Sequence, residues 1–184
     1  MDFKLKLLDN AKDIRESFID HFVMSWNEFR IKQENWITKM AQTNCPIDRE
    51  WYEKAYMWEK MNPAFPSVPM ATALAFLREH NGLVIFMAET GKDIYYRGEK
   101  FVDFVAEADV HTLAARIERE WYDSYRLAMQ NMYDADAFLP GDLYVFDSSM
   151  TWCVVFTHET ADWESELDDP MKAAESRVCI ICGN

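Results

Sequence analysis

Glycine is scarce in this 184-residue chain, with 5 copies, and there is no G-x-G-x-x-G, no G-x-x-x-x-G-K-[ST] and no G-x-S-x-G. Those loops need glycine to bring backbone amides onto a phosphate or to expose a nucleophile, so nucleotide hydrolysis and the common serine-hydrolase layouts are not expected. Basic residues are also few. Lys and Arg total 19 against 32 Asp and Glu, a net charge of -13, which repels a phosphate backbone and argues against direct nucleic-acid binding over a broad face. Long apolar runs are missing as well. The longest clean stretch is the six residues Leu83 to Ala88, too short for a membrane span, and the opening MDFKLKLLDN lacks the continuous apolar core of an export signal. The four cysteines, Cys45, Cys153, Cys179 and Cys182, are therefore expected as reduced thiols of a cytoplasmic protein.

What is present is apolar and aromatic matter. At 49% hydrophobic and 15% aromatic residues the chain has the composition of one globular domain. Folding at this length buries roughly 70% of the unfolded chain's surface, enough for a core without metal or disulfide support.

Phe3, Leu5 and Leu7 alternate with Lys4 and Lys6, the pattern of a short edge strand with lysines toward water. From residue 9 the period changes. Ile14, Phe18, Phe22, Trp26 and Phe29 form a stripe at three- and four-residue steps, which predicts a long helix, or two with a kink, ending before Asn44-Cys45-Pro46. Asp48 is placed to cap a following helix with Ile47 as its staple onto Tyr52, and Asn62-Pro63 stops it. Three prolines between Asn62 and Met70 make that segment a stiff connection inside a single domain 1–184, joining a helical part (9–62) to a sheet-containing part (70–184).

Residues 70–80 fit a short helix closed at Asn81-Gly82. Leu83 to Ala88 reads as a buried strand, with Asp93 to Arg97 as its hairpin partner across Thr90-Gly91, while 101–105 is ambiguous. Asp109 caps a long amphipathic helix over 110–133 with Val110, Leu113, Ala114, Ile117, Trp121, Tyr125, Ala128 and Met132 on one face. DLYVFD and TWCVVFTH then form the clearest hairpin, and Arg177 to Cys182 a last strand. The expected fold is α+β: a mainly antiparallel sheet of about four to six strands, a long N-terminal helix, further helices, and the 110–133 helix packed on the sheet.

Alternation puts Leu143, Val145, Trp152, Val154 and Phe156 on one face of that hairpin and Tyr144, Phe146, Cys153 and Val155 on the other, whether the turn has two or four residues. Both faces are apolar, so the hairpin is expected to be central and covered on both sides. Asp147 and His158 invite a general-base reading. With a four-residue turn Asp147 faces Trp152, leaving His158 about 20 Å away at ~3.3 Å per residue. Asp147 is therefore read as setting the turn, and His158 and Glu159 as marking the strand end on opposite faces. His158 paired with a group from another element stays open as the alternative catalytic site, that of a small hydrolase or transferase. His21, His80 and His111 show no metal-ligand spacing and read as structural, and no cofactor is implied. Cys179-Ile-Ile-Cys182 lacks a second ligand pair and lies in a β-branched run, where residues three apart face opposite ways, so it reads as buried packing.

Charge is localised. Residues 134–169 hold ten carboxylates and no Lys or Arg: Asp134, Asp136, Asp142, Asp147, Glu159, Asp162, Glu164, Glu166, Asp168 and Asp169. A solvated loop explains this blandly. The sharper reading is a docking surface for a basic protein, formed by Asp162, Trp163, Glu164, Glu166, Leu167, Asp168 and Asp169, with the tryptophan and leucine as apolar anchors among the carboxylates. Calcium is a weaker reading, because the D-x-D-x-D-G loop pattern is absent.

The run D-L-Y-V-F-D-S-S-M-T-W-C-V-V-F-T-H-E at 142–159 resembles a segment near the C-terminus of small bacterial α+β proteins, some of which are similar to the immunity proteins that accompany toxins. The resemblance covers 18 of 184 residues and brings no catalytic residue with it. It implies a bacterial accessory protein. Joined to the acidic segment, it leads to the expectation of a non-enzymatic immunity- or inhibitor-type module that occludes a basic partner, a toxin or a nucleic-acid-binding protein. A phage-encoded inhibitor mimicking nucleic acid is the third reading, and no membrane contact is expected.

Overall fold

A computed structural model describes residues 3–40, 49–62, 64–161 and 169–183. Its centre is an antiparallel sheet of seven strands in the order β1-β6-β3-β7-β8-β9-β2. These are β1 (Leu5–Leu7), β2 (Ser67–Pro69), β3 (Leu83–Ala88), β6 (Val105–Asp109), β7 (Leu143–Phe146), β8 (Trp152–Thr160) and β9 (Arg177–Gly183). A separate two-stranded ribbon joins β4 (Ile94–Tyr96) to β5 (Glu99–Phe101). The helices are α1 (Ala11–Phe22), α2 (Trp26–Met40), α3 (Arg49–Lys54), α4 (Met70–Glu79), α5 (Val110–Ala128) and α6 (Pro170–Glu175). No helix among the described residues is long and apolar enough to cross a membrane.

The α+β class and the antiparallel sheet agree with expectation; the strand number does not. Seven strands exceed the four to six expected because β2 is three residues long, too short for period-2 alternation to register, while β1 lies at the sheet edge as the alternation of Phe3, Leu5 and Leu7 predicts. β2 lies inside the proline-rich connection, where Ser67, Val68 and Pro69 pair with Ile180, Cys179 and Val178. Proline is tolerated there because β2 is an edge strand.

The sheet is covered on both faces, as the doubly apolar hairpin required. Leu143, Val145, Trp152, Val154 and Phe156 meet Leu74 and Leu77 of α4 and Leu113, Ala114 and Ile117 of α5. On the opposite face Tyr144, Phe146, Cys153 and Val155 meet Phe18 and Phe22 of α1 with Met57 and Met61. β7 and β8 are the fourth and fifth strands in order, and Phe146 pairs with Cys153, which gives the four-residue turn. Asp147 closes that turn by accepting bonds from the amides of Ser149, Thr151 and Trp152. Cys179 and Cys182 do face opposite ways, one in each half of the core.

Two other expectations need correction, and one open reading is decided. Asp93 to Arg97 does not pair with β3. Five of the six β3 residues are buried, and its edges are taken by β6 and β7. β4 turns back instead onto β5 through Arg97-Gly98, both at positive φ (51° and 81°), the geometry of a type I′ hairpin. Of the two readings of the N-terminal stripe, one long helix or two with a kink, the structure has the second, α1 and α2. Val23 is extended and bridges to Met61, and Ser25 with Glu28 starts α2 by reciprocal capping: Ser25 N donates to Glu28 Oε2 at 3.0 Å and Glu28 N to Ser25 Oγ at 3.4 Å. The bonds that the carboxylate accepts from Ser25 N and from Ser25 Oγ, the latter at 2.8 Å, hold the Glu28 carboxyl below its usual range. α5 begins at its Asp109 cap, which accepts from Thr112 N, but ends at Ala128 rather than 133. Asn131, at φ 53°, lies past its end, so Met132 is exposed instead of joining the apolar face. The expected cap Asp48 and staple Ile47 lie outside the described residues.

Candidate functional site

The register that pairs Leu143 with Phe156 sets Asp142 opposite Thr157, one residue short of His158. Asp142 is 8% exposed and its carboxylate is saturated with donors. Oδ1 accepts from His158 N at 3.1 Å and from the Trp58 indole Nε1 at 3.1 Å, and His158 Nδ1 lies 2.9 Å from Oδ1 and 3.0 Å from Oδ2. An ionised carboxylate only accepts, so Nδ1 is the donor and Nε2 the outer ring nitrogen. Nε2 sits 3.3 Å from Glu159 Oε1. That contact corrects the expectation that His158 and Glu159 face apart: the β8–β9 register shifts between Phe156 and Thr160, and both residues are exposed there.

Two further groups fix this corner. Arg177, at the start of β9, donates from Nε to Thr157 O and from Nη2 to Gly141 O, each at 2.7 Å. It thereby ties together the residues that precede His158 and Asp142. Its guanidinium lies 3.8 Å from the Trp121 ring centre, and burial lowers its pKa to about 10. Gly141 packs closely on this corner, since a Cβ there would stand 3.2 Å from His158 Cβ.

Trp58 arrives from the helical part, on a single 3₁₀ turn (Met57–Lys60). A buried polar chain docks that turn. Tyr144 OH donates to Glu89 Oε2 at 2.5 Å and accepts from Trp58 N at 3.1 Å, while Met57 N and Thr90 N donate to the two Glu89 oxygens. Burial, together with the Glu89 charge, pushes the Tyr144 phenol well above its ordinary pKa. Tyr56 stacks on Trp58 with ring centres 5.9 Å apart, and its ring lies 5.0 Å from that of His158. The outcome is a half-exposed aromatic shelf of Tyr56, Trp58 and His158 with Glu159 at its rim.

The carboxylates of 134–169 divide in two groups. Asp142 and Asp147 hold backbone as described above, Asp134 accepts from Asp136 N and lies 3.8 Å from Arg119, and Asp169 caps α6 by accepting from Lys172 N. Asp169, an exposed member of the expected docking set, thus also has a folding role. Asp162, Trp163, Glu164, Glu166, Leu167 and Asp168 lie outside the described residues. Glu159 is exposed beside the shelf.

His158, with a side chain 40% exposed, is brought to a carboxylate as the alternative catalytic reading asked, though from its own hairpin rather than another element. The other histidines bind locally: His21 and His80 to the carbonyls of Ser17 and Phe76, His111 to Asn81. Asp142 was legible once the four-residue turn was chosen, because that register fixes what faces Thr157. Tyr56, Trp58 and Arg177 carried no signal, being brought to His158 by long-range packing. Among the described residues no three His, Cys, Asp or Glu side chains converge as a metal site would require. No family model, curated protein or solved structure matches the chain.

Proposed function

We propose that this chain is a non-enzymatic, acidic protein-binding module of the immunity or inhibitor kind, which occludes a basic surface on its partner. The observation that carries this reading is the sorting of charge within 134–169. Asp134, Asp142, Asp147 and Asp169 make backbone and ion-pair contacts, whereas Asp136 and Glu159 are exposed, and the sequence places four more carboxylates, Asp162, Glu164, Glu166 and Asp168, directly after Glu159. Glu159 borders the Tyr56–Trp58–His158 shelf, and aromatic surface rimmed by charge suits a contact that needs both fast encounter and affinity. Both ring nitrogens of His158 face carboxylates, an arrangement that occupies the base instead of aiming it at a nucleophile.

The test is a capture experiment at low salt comparing the natural chain with one in which Glu159, Glu164, Glu166 and Asp168 are changed to Lys and Asp169 is kept as the α6 cap. Recovery of a basic protein by the natural chain, lost in the variant and weakened by 0.5 M salt, supports the reading. Equal recovery by both chains, or none by either, removes it.

The Asp142–His158 contact at 2.9 Å favours a second reading, a small hydrolase or transferase with His158 as base. It predicts a hydrolytic activity lost in His158→Ala and retained in the charge-reversed chain, the opposite assignment from the first.

A further inference from the structure

A recess of about 420 Å³ lies where α1, the α3–3₁₀ segment and the end of β3 meet, and His158 is not part of its wall. Apolar side chains (Ile19, Val23, Met57) and two tyrosines (Tyr52, Tyr56) share its wall with three ammonium groups, Lys54, Lys60 and Lys92, and two carboxylates, Glu53 and Glu89. Three ammonium groups around one recess stand out in a chain of net charge -13.

How these cations are partnered is informative. Lys54 pairs with Glu50 on α3. Lys60 and Lys92 have no carboxylate within 4.0 Å among the described residues; each ammonium rests instead over a tyrosine ring, Lys60 at 4.8 Å from the Tyr52 centroid and Lys92 at 5.8 Å from that of Tyr56. Burial lowers the Lys60 pKa, although Glu89, Glu59 and Glu53 act to raise it. All three carboxylates are already committed: Glu53 to Arg49, Glu59 to Tyr56 N, and Glu89 to Met57 N, Thr90 N and Tyr144 OH. Arg15, 6% exposed, binds Thr90 Oγ1 at 3.4 Å and Ala88 O at 2.9 Å, and its Nε and Nη2 are buried with no hydrogen-bond partner among the described residues. Arg15 thus brings a cation to Thr90, a wall residue, from the core side, where the Glu89 carboxylate also bonds the Thr90 amide.

We propose that this recess is a binding site for a small phosphate monoester bearing an aromatic or apolar body. Two mobile point charges with three donors each suit the tetrahedral, rotationally symmetric oxygens of a phosphate better than the planar fork geometry that arginine offers a carboxylate. The phosphate would displace the two ammonium groups from the ring faces, freeing Tyr52 and Tyr56 to receive the ligand's body beside Ile19 and Val23. The volume admits a ligand the size of a one-ring monoester. The site shares Tyr56 with the aromatic shelf of the protein-docking reading but uses none of the carboxylates, Glu159 and those of 162–168, on which that reading depends.

Titration of the isotopically labelled full chain with phenyl phosphate, followed by two-dimensional amide NMR, tests this. The expected result is a saturable shift of the Tyr56, Met57, Thr90 and Lys92 amides at submillimolar ligand, at least tenfold weaker for inorganic phosphate, which lacks the body, and for benzyl alcohol, which lacks the charge. Lys60→Met and Lys92→Met should each weaken binding about tenfold, with the remaining amide spectrum reporting that the fold is intact. Phenylacetate separates phosphate from carboxylate recognition: binding as tight as phenyl phosphate would overturn the assignment to phosphate. No saturable shift at these amides by 10 mM, or undiminished binding by the Lys60→Met and Lys92→Met chains, would overturn the site itself.

Discussion

Asp142→Ala removes one carboxylate on which three donors converge, and its cost follows from their surroundings. Trp58 Nε1 and His158 N, each 3.1 Å from Oδ1, lose their acceptor at a position where Asp142 itself is 8% exposed. Hydrogen bonds to a charged partner contribute about 1.5–3 kcal/mol each, and donors left unpaired in a buried corner keep their desolvation cost. The third donor, the His158 ring, is 40% exposed and recovers much of its loss from water. We expect a loss of about 3–5 kcal/mol, which for a chain of this length is a fall in Tm of roughly 10 °C. Asp142→Asn keeps one carbonyl acceptor and should lose about 1–2 kcal/mol. His158→Ala, which leaves Trp58 and the residue-158 amide bonded to Asp142, should lose about 1 kcal/mol. Urea melts read by tryptophan fluorescence and far-ultraviolet circular dichroism, compared at equal m, measure all three. An Asp142→Ala chain within 0.5 kcal/mol of the natural one, or a His158→Ala loss as large as that of Asp142→Ala, would refute the view that the carboxylate is a structural clamp with the imidazole as its least important donor.

Two other outcomes follow from the core. Burial pushes the Cys179 thiol to about 12 and the Cys153 thiol and Tyr144 phenol well above their ordinary values. Each folded pKa is raised, so the folded state holds protons that the unfolded chain releases; stability is constant through neutral pH and is lost as pH rises from about 9, by up to ~1.4 kcal/mol per pH unit for each group. Urea midpoints between pH 7 and 10.5 should show this fall, with a shallower slope for Cys179→Ala; an unchanged slope would remove Cys179 from the account. Arg177→Lys should lose about 2 kcal/mol by denaturant melts, because an ammonium cannot bond Thr157 O and Gly141 O as a fork while stacking on Trp121; a chain of natural stability would show that the brace is dispensable.

Local periodicity and capping chemistry were enough to locate several elements. The sequence by itself determined which faces of the β7–β8 hairpin are apolar, and so that this hairpin is central, because alternation on a strand does not depend on what packs against it. It determined the Asp109 cap, the Asp147 turn and the opposed faces of Cys179 and Cys182 for the same reason: each depends on residues within a few positions. Two local signals were present and overlooked. Ser25-x-x-Glu28 is a capping box that ends the reading of one long helix, and Arg97-Gly98 is a two-residue hairpin turn that separates β4 from β3.

Only the tertiary structure decided the rest. The three-residue strand β2 exists because its partner β9 presents an open edge, a condition no three-residue window records. The corner at His158 joins Trp58 and Arg177 to Asp142 across more than 80 and more than 30 positions of chain, held by a 3₁₀ turn that docks through Tyr144 and Glu89. The acidity of 134–169 was countable in the sequence, but which carboxylates are consumed by folding was not. A carboxylate's availability depends on the donors that reach it, and those donors are chosen by how sheet and helices pack.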